Sequence, residues 1–216
     1  MKRALEIIGL GALLVGVAGA ADWPQFCGPT RDNHSTETDL AKSWPSKGPE
    51  EVWTVDVTEG YAGPAVREGK VYFLEHKDDV SSLRCLSLES GKELWSVEFD
   101  DPGEFKSDKY PGTRGTPMVT EDAVYAVTLH STIVGVDLKS KKVMWKKNMQ
   151  RDFGKQPESW GFAQSPLVVN GLVIVAPLTE SHGVIAIESR SGEIVWTNTD
   201  YFGTGYGSPK LIHFDG

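Results

Sequence analysis

Five side chains in four similar short segments have the chemistry to hold a ligand. The segments read GYAGP, PGTRGTP, WGFAQSP and TGYGSP. Each leads into a small residue followed by proline, at Gly63-Pro64, Thr116-Pro117, Ser165-Pro166 and Ser208-Pro209. They carry Tyr61, Arg114, Trp160, Gln164 and Tyr206. Aromatic faces with one guanidinium and one amide suit a planar, anionic or carbohydrate-like ligand, because the guanidinium forks onto anions and stacks on rings. The same groups serve equally well to plug a channel by bonding to one another. Catalysis has no comparable signature. No G-x-S-x-G nucleophile turn occurs, and no glycine-rich phosphate loop follows a strand and opens a helix. No catalytic residue is therefore assigned.

The elements that must position these side chains come from a repeat. The stretch CLSLESGKELW at 85–95 recurs as GVDLKSKKVMW at 135–145 and AIESRSGEIVW at 186–196. A beat of about fifty residues marks a repeat architecture. Each copy reads strand, tight turn, strand. Gly91 and Gly192 supply the positive φ such a turn needs. The middle copy has Lys141 there, so its turn must be strained or of another type. Trp95, Trp145 and Trp196 close the copies and are expected as buried anchors between sheets. With the small-residue–Pro marker and the VY-like strand after it, one unit is four short antiparallel strands, a propeller blade.

The sequence thus predicts an all-β β-propeller of four-stranded antiparallel blades, about three and a half of them in an incomplete ring. The blades fall at 63–99, 116–149 and 165–199, with a partial blade at 208–216. The stretch EVWTVDV at 51–57 has Trp53 in the tryptophan position and is expected as a closing strand. The ring is then a truncated fragment or is completed by another chain. Its unpaired blade edges predict self-association. In a propeller the segments before the innermost strands surround one mouth, which places the five candidate residues together. His76, His130 and His182 follow Val71, Val124 and Val173 by a few residues, in the turns between second and third strands. Those turns lie far from the axis, so the histidines are expected apart and solvated, with no metal site.

Residues 1–21 have the pattern of a signal peptide. Lys2 and Arg3 precede an apolar run at 7–17, and Ala18-Gly19-Ala20 fits a cleavage site. Export to the periplasm or outside the cell follows, with no membrane span after cleavage. Residues 22–50 read as an extended arm anchored by Trp23, Phe26 and Trp44. The net charge of −8 argues against nucleic acid as a partner. Cys85 stands where Gly135 and Ala186 recur, so it reads as a packed core thiol that is not bridged to Cys27.

The small-residue–Pro–x₄–G–x–VY pattern and the Ser/Thr-Gly hairpin ending in Trp resemble the PQQ-like (pyrroloquinoline-quinone-like) β-propeller repeat. The segment DWPQFCGPTRDNHSTE at 22–37 resembles the leader of its secreted members. That family holds quinoprotein alcohol dehydrogenases, a lipoprotein propeller of outer-membrane protein assembly, and secreted propellers of unassigned role. The resemblance implies an exported, non-catalytic binding or scaffold module with a protein or polymer ligand at the propeller face and no cofactor. The alternative it implies is a fragment of a PQQ-dependent oxidoreductase carrying PQQ with Ca²⁺. Such enzymes use adjacent cysteines, a Glu–Asn calcium pair and an Asp base. Cys27 and Cys85 are far apart here, and no Glu–Asn pair stands at a matching motif.

Overall fold

The computed structural model describes residues 21–38, 40–103, 112–157 and 159–214. The signal-peptide pattern therefore lies outside the described residues, apart from Ala21. Three four-stranded antiparallel sheets follow one another along the chain. The first holds β1 (Ala65–Arg67), β2 (Lys70–Lys77), β3 (Val80–Ser87) and β4 (Glu93–Asp100). The second holds β5 (Met118–Val119), β6 (Ala123–Val127), β7 (Thr132–Asp137) and β8 (Lys142–Asn148). After a short helix α1 (Met149–Phe153), the third holds β9 (Leu167–Val169), β10 (Leu172–Val175), β11 (Val184–Glu188) and β12 (Ile194–Asn198). Each strand pairs with the next in sequence, as in a propeller blade.

The core lies between sheets. Alternating residues of β4 (Trp95, Val97 and Phe99) turn inward, while Leu94, Ser96 and Glu98 face water. The middle sheet is covered on both sides. Val124 and Ala126 of β6 pack toward the first sheet, and Ala123, Tyr125 and Val127 toward the third. Burial of both faces explains why β6 reads AVYAV without polar alternation.

The three hairpins share one geometry. Cys85, Gly135 and Ala186 stand opposite Trp95, Trp145 and Trp196, and a register shift follows in every copy. The small partner makes room for the ring: a Cβ on Gly135 would lie 2.9 Å from Trp145. Gly91 and Gly192 have φ of 67° and 76°, and Lys141 has φ of 56°. The amide of each bonds the carbonyl four residues back, on Ser87, Asp137 and Glu188. The middle turn is therefore the same type as the others, with a lysine in left-handed backbone. A side chain in that region costs about 1 kcal/mol. Lys141→Gly is expected to raise stability by about 0.5–1 kcal/mol, read from the urea midpoint.

The tryptophans reach forward to the next hairpin. The Trp145 indole N–H donates to the Ser189 carbonyl at 2.8 Å, and its ring covers Gly192. Trp53 does the same ahead of the first blade, donating to the Leu88 carbonyl at 2.8 Å and covering Gly91. Trp145 is buried and Trp95 half-buried, but Trp196 is 43% exposed. The expected burial of Trp196 is corrected: among the described residues no further hairpin stands against it.

A second ladder joins the residues before the prolines. The Thr116 amide donates to the Ser165 hydroxyl, and the Ser165 amide to the Ser208 hydroxyl, both at 2.9 Å. The small-residue–Pro marker is thus a rung between neighbouring blades. Two further expectations are corrected. Residues 51–57 form no strand and are held by side chains, chiefly Trp53. Residues 208–214 form no strand either.

The arm runs across all three blades. Trp23 forms an antiparallel bridge with Val66 of β1, with bonds of 2.8 and 2.9 Å. The Pro24 carbonyl accepts from the Val119 amide of β5. Buried Arg31 donates to the Ser165 and Pro166 carbonyls at 2.8 and 3.1 Å and to Gln25 Oε1 at 2.9 Å. Trp44 and Phe26, expected as anchors, are 64% and 42% exposed. Both thiols are free. Cys85 is buried, which pushes its pKa up to about 11.

Candidate functional site

The mouth residues sit in the segments that lead into β1, β5 and β9 and in the segment before Ser208. The Arg114 guanidinium lies 5.6 Å from the centre of the Tyr61 ring, and its Nη1 donates to the Gly112 carbonyl at 2.7 Å. Burial lowers the Arg114 pKa, and the Tyr61 and Tyr206 hydroxyls, close enough to act on it, oppose that shift. The Tyr206 hydroxyl accepts from the Trp160 amide at 3.3 Å. Arg114 thus lies over the Tyr61 ring, and Tyr206 contacts the Trp160 segment. Tyr61, Trp160 and Tyr206 are 61%, 51% and 39% exposed, so their rings face outward.

Gln164 does not join them. It is buried, and its amide is used on both sides by the Ala176 backbone: Nε2 donates to the carbonyl at 2.9 Å, and Oε1 accepts from the amide at 2.6 Å. Gln164 imitates a strand partner at the end of β10 and is buried rather than presented at the surface. Four of the five residues chosen from sequence remain as a surface, with one cation among aromatic faces.

A second polar cluster was not expected. His76, near the end of β2, meets His130 from the β6–β7 turn with ring centres 4.6 Å apart. Asp101, directly after β4, is fully buried beside them. Its carboxylate accepts from Ser81 at 2.7 Å and Thr128 at 2.8 Å, and His76 Nδ1 lies 3.5 Å away. His130 Nδ1 donates to the Asp101 carbonyl at 2.6 Å. Burial alone raises the Asp101 pKa; hydrogen bonds from His76, Thr132, Ser81 and Thr128 outweigh it and hold the carboxyl below its usual range.

The expectation of three separate, solvated turn histidines is therefore corrected for two of them. The β6–β7 turn of one blade packs onto the β2–β3 end of the blade before it, so residues in equivalent turns meet across the joint. His182 stays apart, lying against Phe153 with ring centres 4.7 Å apart. No helix of the described residues is long and apolar enough to cross a membrane.

Comparison with known proteins places this geometry in a family. A PQQ-type repeat profile described as "Outer membrane protein assembly factor BamB" matches residues 45–199. The Burkholderia pseudomallei protein of that name is 27% identical over 173 residues, covering 79% of this chain and 39% of its own length. The Salmonella typhimurium protein is 24% identical over 138 residues, covering 63% of this chain and 32% of its own length. The chain thus spans about a third of the length of the curated relatives it matches. The solved quinohemoprotein alcohol dehydrogenase ADHIIG of Pseudomonas putida HK5 is similar in fold, with a TM-score of 0.52 at 18% identity over 81% of this chain and 26% of that one. Three consecutive four-stranded blades, linked by tryptophans that reach the next hairpin, and the match over 45–199 lead to one conclusion: the chain belongs to the PQQ-like β-propeller repeat family described as outer membrane protein assembly factor BamB.

Proposed function

We propose that this chain is an exported, non-catalytic propeller segment that binds an extended protein chain at the mouth formed by Tyr61, Arg114, Trp160 and Tyr206. The observation that carries the reading is the partly buried Arg114 guanidinium over the exposed Tyr61 ring, with the exposed Trp160 and Tyr206 joined to each other in the equivalent segments. Rings with few rotatable bonds, placed beside an arginine, are the side chains that dominate protein-binding surfaces. The names of the curated relatives, outer membrane protein assembly factors, support a protein ligand. Export is supported by the pattern at 1–21.

Among the described residues, the chemistry found does not support PQQ with Ca²⁺. The one amide of the mouth is bonded to Ala176, Cys85 is buried between blades, and Cys27 lies in the arm. No oxidation step is derived for them.

Tryptophan fluorescence of the full chain, titrated with an amphipathic peptide copied from a membrane strand of an outer-membrane barrel, tests the reading. Saturable binding is expected. Arg114→Ala and Tyr206→Ala are each expected to weaken it by about tenfold, the scale of a central interface residue. A chain that ignores the peptide but binds PQQ and Ca²⁺ with a saturable absorbance change would overturn it.

A further inference from the structure

We propose that His76, Asp101 and His130 form a binding site for one zinc-like divalent cation that clamps the first blade to the second. The three side chains offer ligand atoms that all lie within 4.8 Å of one another. A tetrahedral zinc ion with bonds of about 2.0–2.1 Å holds its ligand atoms about 3.4 Å apart. His76 Nδ1 and Asp101 Oδ2 already stand at 3.5 Å, and a cation would replace the proton that Nδ1 now donates to the Ser81 hydroxyl at 3.0 Å. Small rotations of the two imidazoles bring the third ligand in. Two nitrogens and one carboxylate oxygen are a donor set suited to zinc and its first-row neighbours rather than to calcium or magnesium.

The surroundings have the form of an outer ligand shell. A backbone carbonyl has no proton, so the 2.6 Å contact with the Asp101 carbonyl puts the His130 proton on Nδ1 and its lone pair on Nε2. Metal-bound histidines are held in this way, one ring nitrogen donating to a carbonyl while the other serves the metal. The carboxylate is oriented by hydroxyl donors from both blades, Ser81 of β3 and Thr128 at the end of β6. Asp101 is fixed in turn by its amide, which donates to the Asp79 carbonyl at 2.8 Å. The Gly103 backbone lies against the His130 ring, where a Cβ would stand 2.4 Å from it. A cleft of about 850 Å³ is lined in part by Asp100, Pro102 and Gly103, the chain neighbours of Asp101.

The ligands are not neighbours in one turn. His76 and Asp101 come from the outer end of the first blade and His130 from the second. A cation held by all three therefore adds to the hydrogen bonds that already join the two blades here, from Thr128 and His130 to Asp101 and from Lys146 to the Asp100 carbonyl. The ligands are buried, with 8%, 0% and 3% exposure, and three protein ligands leave the fourth tetrahedral position to a water molecule.

The test uses the full chain stripped with a chelator and titrated with Co²⁺, whose visible absorption reports the ligand field. One ion per chain is expected, with zinc displacing cobalt. His76→Gln and His130→Gln are each expected to lower affinity by about a hundredfold or more, as loss of an inner ligand exceeds loss of an outer one. His182→Gln and His34→Gln should leave it unchanged. Zinc should also raise the melting temperature of the wild type and not that of His130→Gln. Circular dichroism of each metal-free variant separates loss of the site from loss of the fold; where one glutamine variant unfolds, Ser81→Ala reports instead, with affinity lowered and fold kept. The proposal fails if the folded wild type takes up no cobalt or zinc, or if the ion persists when both histidines are replaced.

Discussion

Trp145→Ala is expected to destabilise the chain by about 3–5 kcal/mol, the cost of deleting a large buried ring, whereas Trp196→Ala costs less than about 1 kcal/mol. The two residues occupy the same repeat position, so sequence alone treats them alike. The structure separates them. Trp145 is 8% exposed, its ring lies on Gly192, and its indole N–H is bonded to the Ser189 carbonyl. Truncation opens a cavity at the joint of the second and third blades and strands a carbonyl. Trp196 is 43% exposed and has no hairpin to cover among the described residues. Urea unfolding followed by far-ultraviolet circular dichroism gives both values. Equal costs for the two variants would show that the ring works within its own blade, not between blades.

This contrast marks how far the sequence could be read. Blade architecture was legible because strand alternation, Gly91, Gly192 and the tryptophans recur on one beat, and repetition averages out local ambiguity. Lys141 broke the turn pattern without breaking the turn, because Asp137 holds it, accepting from the Ser140 amide on its carboxylate and from the Lys141 amide on its carbonyl. Two contacts follow the residues chosen from their place before the prolines, Arg114 on the Tyr61 ring and the Trp160 amide on the Tyr206 hydroxyl. Gln164 lies buried instead, its amide bonded to the backbone of Ala176 directly after β10, a partner that no spacing reveals. The His76–Asp101–His130 cluster was missed for a related reason. Equivalent turns were read as equally far apart, but a turn in one blade meets the strand end of the blade before it. The clue was Asp101, an acid at the end of a repeat unit that has no counterpart in the other copies. Helix α1 was also missed, though Asn148 and Gly154 are readable caps: the Asn148 side chain accepts from the Gln150 and Arg151 amides, and Gly154 has φ of 69°.

Arg31→Met is expected to cost about 2–4 kcal/mol and to free the arm, with new protease cleavage within 22–38. Arg31 is 6% exposed and donates to three acceptors, the Ser165 and Pro166 carbonyls and Gln25 Oε1. Methionine fills much of the volume but donates nothing, so buried carbonyls lose their partners. Burial lowers the Arg31 pKa, and nearby Cys27 opposes that shift. An arginine nonetheless stays charged in proteins, so the native site is an ion solvated by carbonyl dipoles. Arg31→Lys keeps the charge but not the planar fork, and a single ammonium is a poor substitute for two directed amino groups. It should recover less than half of the loss. The arm also meets the first blade through Trp23 and the second through Pro24, so it spans three blades at their inner strands. Those contacts are backbone pairs that reform easily once broken, whereas the Arg31 contact holds the far end. Release of the far end should therefore loosen the third blade most. Hydrogen exchange at the amides of β9 and β10 would rise ahead of those of β2 and β3. An Arg31→Met chain with native protection at β9 would show that the arm follows the blades rather than binding them.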